Sequence, residues 1–295
     1  MAVAVSIFAK PINKSIFTYN KIVLLPIAGL SNRLRAINSA IELNKLLKKN
    51  LYVMWTRSHD LNCNYSLLFK DNPSFTLIEE PLKYRFLWLN PQSLKGRDIY
   101  LNKAFKWIVF DEVLYHRQLR NESNTAAFTN EELQKKLKYK KSVFLESDFS
   151  FFSSDTNYLY PTNELKEIIE KNTRDFNNTI GLHIRRTDHF PAIEKSPLSA
   201  FIESVKREIA TDPDVSFYLS TDSIEVKEQL IHLFANRIIT GSFELTRTTV
   251  PGVQNALVDL YSLSKTKKII GSYGSSFSEM ASKIGGIKLE YALVG

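Results

Sequence analysis

Cysteine is almost absent from this chain. Cys63 is the only one in 295 residues, so no internal disulfide can form, and a reducing compartment is expected. Long apolar runs are missing as well. Ala2 to Ala9 is apolar but is broken off by Lys10, Pro11 and Lys14. That run is too short to cross a bilayer and lacks a basic lead, so neither an anchor nor a signal peptide is expected. The expected setting is cytoplasmic. Carboxylates are scarcer than cations, 31 Asp and Glu against 39 Lys and Arg, for a net charge of +8. Zinc-finger, RRM and helix-turn-helix signatures are lacking, so the charge does not point to nucleic acid. The densest basic stretch, Lys135-Lys136-Leu137-Lys138-Tyr139-Lys140-Lys141, sits in polar helical sequence and reads as a solvated face. A basic surface also suits anionic small substrates or, by peripheral association, an anionic membrane surface.

What is present is a globular composition, 44% hydrophobic and 24% charged, at a length for one large domain or two ordinary ones. Ile22 to Ile27 reads as a buried strand that stops at Ala28-Gly29-Leu30, with Ser31 placed to cap a helix. Leu34, Ile37 and Ile41 recur at helical spacing, and Leu51 to Trp55 follows as the next strand. This strand, glycine loop, helix and strand begin a parallel α/β sheet. Ligands of such sheets gather at the carboxyl ends of strands. Gly29 allows close backbone approach there, and Asn32 and Arg33 either face a cleft or simply cap and solvate the helix. From Thr56 to Lys141 the pattern is hard to read. It holds Tyr65, Phe69, Tyr84, Phe86, Trp88, Tyr100 and Trp107, which fit core or lid packing better than sugar stacking and are assigned no role. Ser142 to Glu146 reads as a strand and Asn163 to Asn172 as a helix, and the domain boundary is placed at 170/171.

The second half alternates more cleanly. Thr179–Ile184, Val215–Ser220, Ile238–Thr240 and Lys268–Ile270 read as strands, with helices over Leu198–Ala210, Gln254–Leu263 and from Ser276, where Glu279 would complete a capping box. The alternation predicts a second parallel sheet of Rossmann type. Three strand ends carry unusual polar residues: Arg185-Arg186-Thr187-Asp188, Thr221-Asp222 and Ser272 to Ser276. Parallel strands end on one side, so these three groups share an edge. Arg185 and Arg186 offer planar paired donors to a diphosphate, or else pair with nearby acids as an ordinary strand end. A helix start at Ser275 or Ser276 offers free N–H groups to phosphate. Asp222 offers acceptors to adjacent N–H donors such as those of a guanine edge. Ser223 and Ser278 read as ordinary caps. Asp212-Pro213-Asp214 has the form of a metal-binding Asp-x-Asp, but it precedes its strand and reads as a turn. His183, Asp188 and His189 are rejected as metal ligands, because the interleaved arginines would repel a cation.

These residues resemble a known family. Gly29-Leu30-Ser31-Asn32-Arg33 is similar to a Gly-x-x-Asn-Arg loop of bacterial glycosyltransferases. His183-Ile184-Arg185-Arg186-Thr187-Asp188 resembles the His-x-Arg-Arg-x-Asp motif of α-1,6-fucosyltransferases, including rhizobial chitooligosaccharide and core enzymes. Phe217 to Asp222 and Gly271 to Phe277 resemble two further motifs. The resemblance implies a GT-B fold, two Rossmann-like α/β domains with parallel sheets facing a central cleft: residues 1–170 on the acceptor side and 171–295 for the GDP-sugar. It also implies inverting transfer of fucose from GDP-fucose to an oligosaccharide or polysaccharide acceptor, without a metal or other cofactor. Arg185 matches the arginine that grips the β-phosphate and Arg186 its partner. His183 and Asp222 match guanosine contacts, and Ser275 and Ser276 positions near the phosphates. Core enzymes carry lysine after the motif's aspartate and a nearby glutamate proposed as base. Here His189 follows Asp188, and Glu194 stands one position late. Glu194 is the first candidate base and His189 the second. Transfer of another GDP-linked sugar, and a non-catalytic nucleotide-sugar or glycan-binding protein, are the alternatives.

Overall fold

The computed structural model describes residues 19–79, 85–89, 91–123, 125–186, 190–241 and 246–293, without the side chains of residues 85, 93 and 190–192. The Ala2–Ala9 run and Tyr84 lie outside them. The chain divides into two compact units. One extends through Ser58 and resumes over Asp71–Leu159, while the other takes His59–Lys70 and everything from Tyr160 onward. This division differs from a single cut at 170/171. The helix α5 (Asn163–Thr173) packs on α9 (Val250–Leu263), so it belongs with the second unit. The segment His59–Lys70 leaves the first unit to bury Leu61, Cys63, Tyr65, Leu68 and Phe69 in the second.

The first unit is a parallel sheet in the order β3-β2-β1-β5-β4, formed by β1 (Lys21–Pro26), β2 (Asn50–Trp55), β3 (Thr76–Glu79), β4 (Glu112–Leu114) and β5 (Ser142–Ser147). All of β1 and β5 is buried, which is why both read as continuous apolar runs. The helices are α1 (Leu30–Leu47), α2 (Arg97–Val109), the single turn α3 (His116–Leu119) and α4 (Asn130–Lys138). Much of the opaque stretch from Thr56 to Lys141 is core. Trp88 lies edge-on to Phe105, ring centroids 4.9 Å apart, and both pack with Phe110 and Phe144 on one face of the sheet. Tyr100 and Trp107 point outward instead. The strands β3 and β4, at the two edges of the sheet, are 4 and 3 residues long and only partly buried, too short to show a period.

The second sheet runs β10-β9-β6-β7-β8, also parallel. Its strands are β6 (Thr179–Ile184), β7 (Ser216–Thr221), β8 (Ile238–Ile239), β9 (Lys268–Gly271) and β10 (Lys288–Tyr291). The remaining helices are α6 (Phe190–Lys195), α7 (Leu198–Thr211), α8 (Ile224–Phe234) and α10 (Ser276–Gly285). The central β6 is buried throughout, and β10 is a half-buried edge strand whose alternating Lys-Leu-Glu-Tyr gave no apolar run. Asp212 to Val215 is a turn, closed by Val215 N–H donating to the Asp212 carbonyl (3.2 Å). The two sheets are thus two Rossmann-like α/β units. Replacing Trp88 by Ala is expected to lower stability by roughly 3–5 kcal/mol, the cost of emptying an aromatic site in a packed core; urea denaturation reads it.

Candidate functional site

From β6 the second sheet grows in both directions. The strands β7 and β8 lie to one side and β9 and β10 to the other. The strand order thus reverses at β6 and β9, and open α/β sheets bind ligands beyond the carboxyl ends of the strands at such a point. The sequence places His183, Arg185 and Arg186 at one lip and Ser272 to Ser275 at the other.

Backbone bonds lock these lips together. Ser272 N–H donates to the His183 carbonyl (3.0 Å), and Arg185 N–H donates to Ser272 Oγ (3.0 Å). From the other side Arg186 N–H donates to Asp222 Oδ1 (2.7 Å), which ties in the end of β7. The two arginines then diverge. Arg185 lines an open recess of about 120 Å³ together with His183, Asp222, Arg247, Asn255 and Asp259. Arg186 turns inward, Nη2 donating to the Ser196 carbonyl (2.9 Å) with the guanidinium 5.8 Å from the Phe201 ring. Its Nη1 is buried without a hydrogen-bond partner among the described residues.

His183 is buried and stacks on Phe277 at 4.7 Å. Its Nδ1 lies 2.7 Å from Ser278 Oγ and 3.5 Å from Ser275 Oγ. Ser278 is therefore the partner of the histidine rather than an ordinary cap. A Cβ on Gly271 would fall 2.5 Å from Ser278 Oγ, so glycine is what lets the end of β9 come this close. Burial, and then the Arg185 charge, push the imidazole down to about 3, so it is neutral. The N-cap of α10 is Ser275, one residue before the expected Ser276, and it makes no side-chain cap bond. Glu279 instead accepts from Tyr291 Oη (3.3 Å). Ser223 does cap α8, accepting from Val226 N–H (3.2 Å).

Sequence reasoning missed Arg247, Asn255 and Asp259. Asp259 sits on α9 under the recess, accepting from Tyr218 Oη (2.6 Å) and Ser220 Oγ (2.9 Å). Burial pushes its carboxyl up to about 6 against those two bonds. An acid in the apolar stretch Val253–Leu263 was the available signal. Arg247 had none. Its backbone is fixed by the excursion from the first unit, where Asn62 N–H donates to its carbonyl (3.1 Å) and Asn62 Nδ2 to that of Thr248 (2.8 Å).

Glu194 lies exposed on α6. That helix is fastened to the β9 loop where Tyr273 N–H donates to Ser196 Oγ (3.0 Å) and Lys195 Nζ sits 4.2 Å over the Tyr273 ring. Thr187, Asp188 and His189 lie outside the described residues. In the first unit Gly29 is the N-cap of α1, displacing the cap expected at Ser31. Asn32 Oδ1 accepts from Arg35 Nη2 (2.7 Å). Arg33 is neither solvated nor on an open lip. It is buried over Trp55 and donates to Ala28 O (2.8 Å), Thr56 O (2.6 Å) and Ser58 Oγ (3.0 Å), holding the loop. Among the described residues no group of three His, Cys, Asp or Glu side chains is arranged to hold a metal ion.

No protein-family model matches the chain, and no curated protein matches it by sequence. Solved structures do. A NodZ α-1,6-fucosyltransferase soaked with GDP-fucose aligns over 90% of this chain and 93% of its own, with a TM-score of 0.60 at 16% identity. A point mutant of Arabidopsis thaliana FUT1 in complex with GDP aligns over 98% and 73%, with a TM-score of 0.63 at 17% identity. POFUT1 in complex with GDP-fucose aligns over 93% and 99%, with a TM-score of 0.54 at 11% identity. The chain shares the GT-B fold of these solved structures. At these identities the likeness is one of backbone architecture.

The neutral, buried His183 has a measurable consequence. In the unfolded chain it protonates near its ordinary 6.5, and in the folded one only near 3. Below 6.5 the unfolded state binds a proton the folded state refuses, so stability falls progressively as pH drops from 6.5 towards 3. Denaturation midpoints measured across that range should fall less steeply for His183→Gln than for the parent.

Proposed function

We propose that this chain is a glycosyltransferase that moves fucose from GDP-fucose to a hydroxyl of a glycan acceptor. The observation that carries the proposal is the recess at the end of β6. There two arginines, a neutral histidine and two carboxylates converge beside Phe277 of the first turn of α10, in a fold of which solved examples hold GDP-fucose or GDP. Arg185 and the first turn of α10 supply positive charge for a diphosphate. Arg186 lies outside the recess lining, turned inward onto Ser196, and stays a candidate only as the partner of Arg185. Asp222 and Asp259 bring carboxylate acceptors to the recess, which suit the adjacent N–H donors of a guanine edge. His183, neutral and packed on Phe277, adds an uncharged hydrogen-bonding edge.

The reaction we infer is a single inverting displacement. An acceptor hydroxyl attacks the anomeric carbon, a base takes its proton, and the carbon–oxygen bond to the β-phosphate breaks as GDP leaves with the electron pair. Arg185 steadies the charge that develops on the leaving oxygen, the role a metal ion plays in other transferases. Glu194 is our candidate base, with His189 the second, and Ser275, Ser276, Gly29 and Asn32 are candidate donor contacts. The acceptor is an oligosaccharide or polysaccharide.

The deciding experiment is GDP release from GDP-fucose over a panel of glycan acceptors, with EDTA present throughout. Turnover undiminished by EDTA is expected. Arg185→Ala should lower kcat by about 10²–10³, the loss seen when a transition-state charge donor is removed, with an unchanged melting temperature; full activity in that variant would sink the mechanism. Glu194→Gln should abolish acceptor-dependent GDP release while leaving GDP binding by calorimetry intact. GDP binding without turnover by the parent on any acceptor or GDP-sugar would instead favour a binding protein.

A further inference from the structure

Two features take no part in the recess: the lysine run 135–141 and the outward face of α2. The end of α2 and the end of the lysine run meet at the amino-terminal edge of the first sheet. The carbonyl of Val109, which ends α2, accepts from Ser142 Oγ (2.8 Å). Asp111 Oδ2 accepts from the N–H groups of Lys141 (2.7 Å) and Ser142 (3.0 Å). Glu112 pairs with Lys136 (3.0 Å) and Lys140 (3.5 Å). The two carboxylates at this edge are thus already engaged by the lysine turn, while Lys138 and Lys141 stand exposed.

The outward face of α2 carries Tyr100, Leu101, Trp107 and Ile108, spaced as one helical stripe, where a solvated helix would be polar. They are 74%, 48%, 83% and 53% exposed, and Tyr139 in the lysine turn is 82% exposed. Apolar aromatic bodies with polar tips favour the head-group level of a bilayer, and lysines beside them favour anionic lipid. We propose that this edge docks the protein on an anionic phospholipid bilayer, Trp107 and Tyr139 entering the head-group layer while Lys138 and Lys141 meet lipid phosphate. No described helix is long and apolar enough to cross a membrane, so the contact is peripheral.

Trp55 and Trp88 are buried, which makes Trp107 the exposed fluorophore among the 3 tryptophans. The test mixes the full chain with vesicles of phosphatidylcholine alone or with phosphatidylglycerol. With phosphatidylglycerol, co-sedimentation is expected, together with a blue shift of Trp107 emission and quenching by brominated acyl chains. Trp107→Ala should weaken partitioning about tenfold, from losing one large apolar side chain at about 1.5 kcal/mol. Lys138→Gln and Lys141→Gln should each weaken it about fivefold, at about 1 kcal/mol per cation. Unchanged circular dichroism and melting temperature would certify each variant as folded. Four results overturn the proposal: no sedimentation with anionic vesicles, sedimentation with unmoved Trp107 emission, a dimer that buries Trp107 instead, or binding to a single-stranded oligonucleotide without binding to vesicles.

Discussion

Three strand ends of the second sheet are pinned together at the loop that carries its charge, and the pins are side chains bonding to backbone. Ser272 receives the N–H of Arg185 and Asp222 that of Arg186. Two adjacent guanidiniums repel each other, and a free loop would let them separate. Fixing the backbone on both sides lets the chain send the two groups in different directions at a defined spacing, one into the recess and one into the protein. The groups around this loop are thereby positioned before any ligand arrives, which is how a site binds without a large ordering cost.

The same pins account for the histidine. Its carbonyl holds Ser272 while its ring is held by Ser278 and Phe277, so one residue joins β6 to both the strand and the helix on its flank. Gly271 makes the closeness sterically possible. An imidazole caged in this way, beside a permanent cation, stays neutral through ordinary working pH. It contributes shape and hydrogen bonding with no change of charge.

Much of this arrangement was legible in the residues. Buried parallel strands advertise themselves as apolar runs, and the rule that they end together put His183, Arg185, Asp222 and Ser275 on one edge. Side-chain direction was not legible. Arg185 and Arg186 look alike in sequence, yet one faces solvent and the other Phe201, because that choice depends on what packs behind the loop. Arg33 reads as facing a cleft or solvating its helix but is buried over Trp55, its charge met by the carbonyls of Ala28 and of Thr56, 23 residues away. Asp259 is visible only as an acid in an apolar helix, and its meaning needs Tyr218 and Ser220 beneath it. Trp107 and Tyr139 stand 32 positions apart, and the β4–β5 pairing sets the strands that follow them side by side.

The excursion His59–Lys70 alters how this protein must be assembled. A ribosome delivers Leu61, Tyr65 and Phe69 long before the residues they pack on exist, so these side chains wait uncovered while roughly a hundred further residues emerge. The first unit can close around its own sheet in the meantime, but its loop stays open until the second is made. Once closed, Asn62 holds the backbone of Arg247 against the recess. The chain therefore cannot be divided by one cut into two self-sufficient halves: a piece beginning after Leu159 would lack both the buried side chains of the excursion and the brace that holds the backbone of one of its two recess arginines.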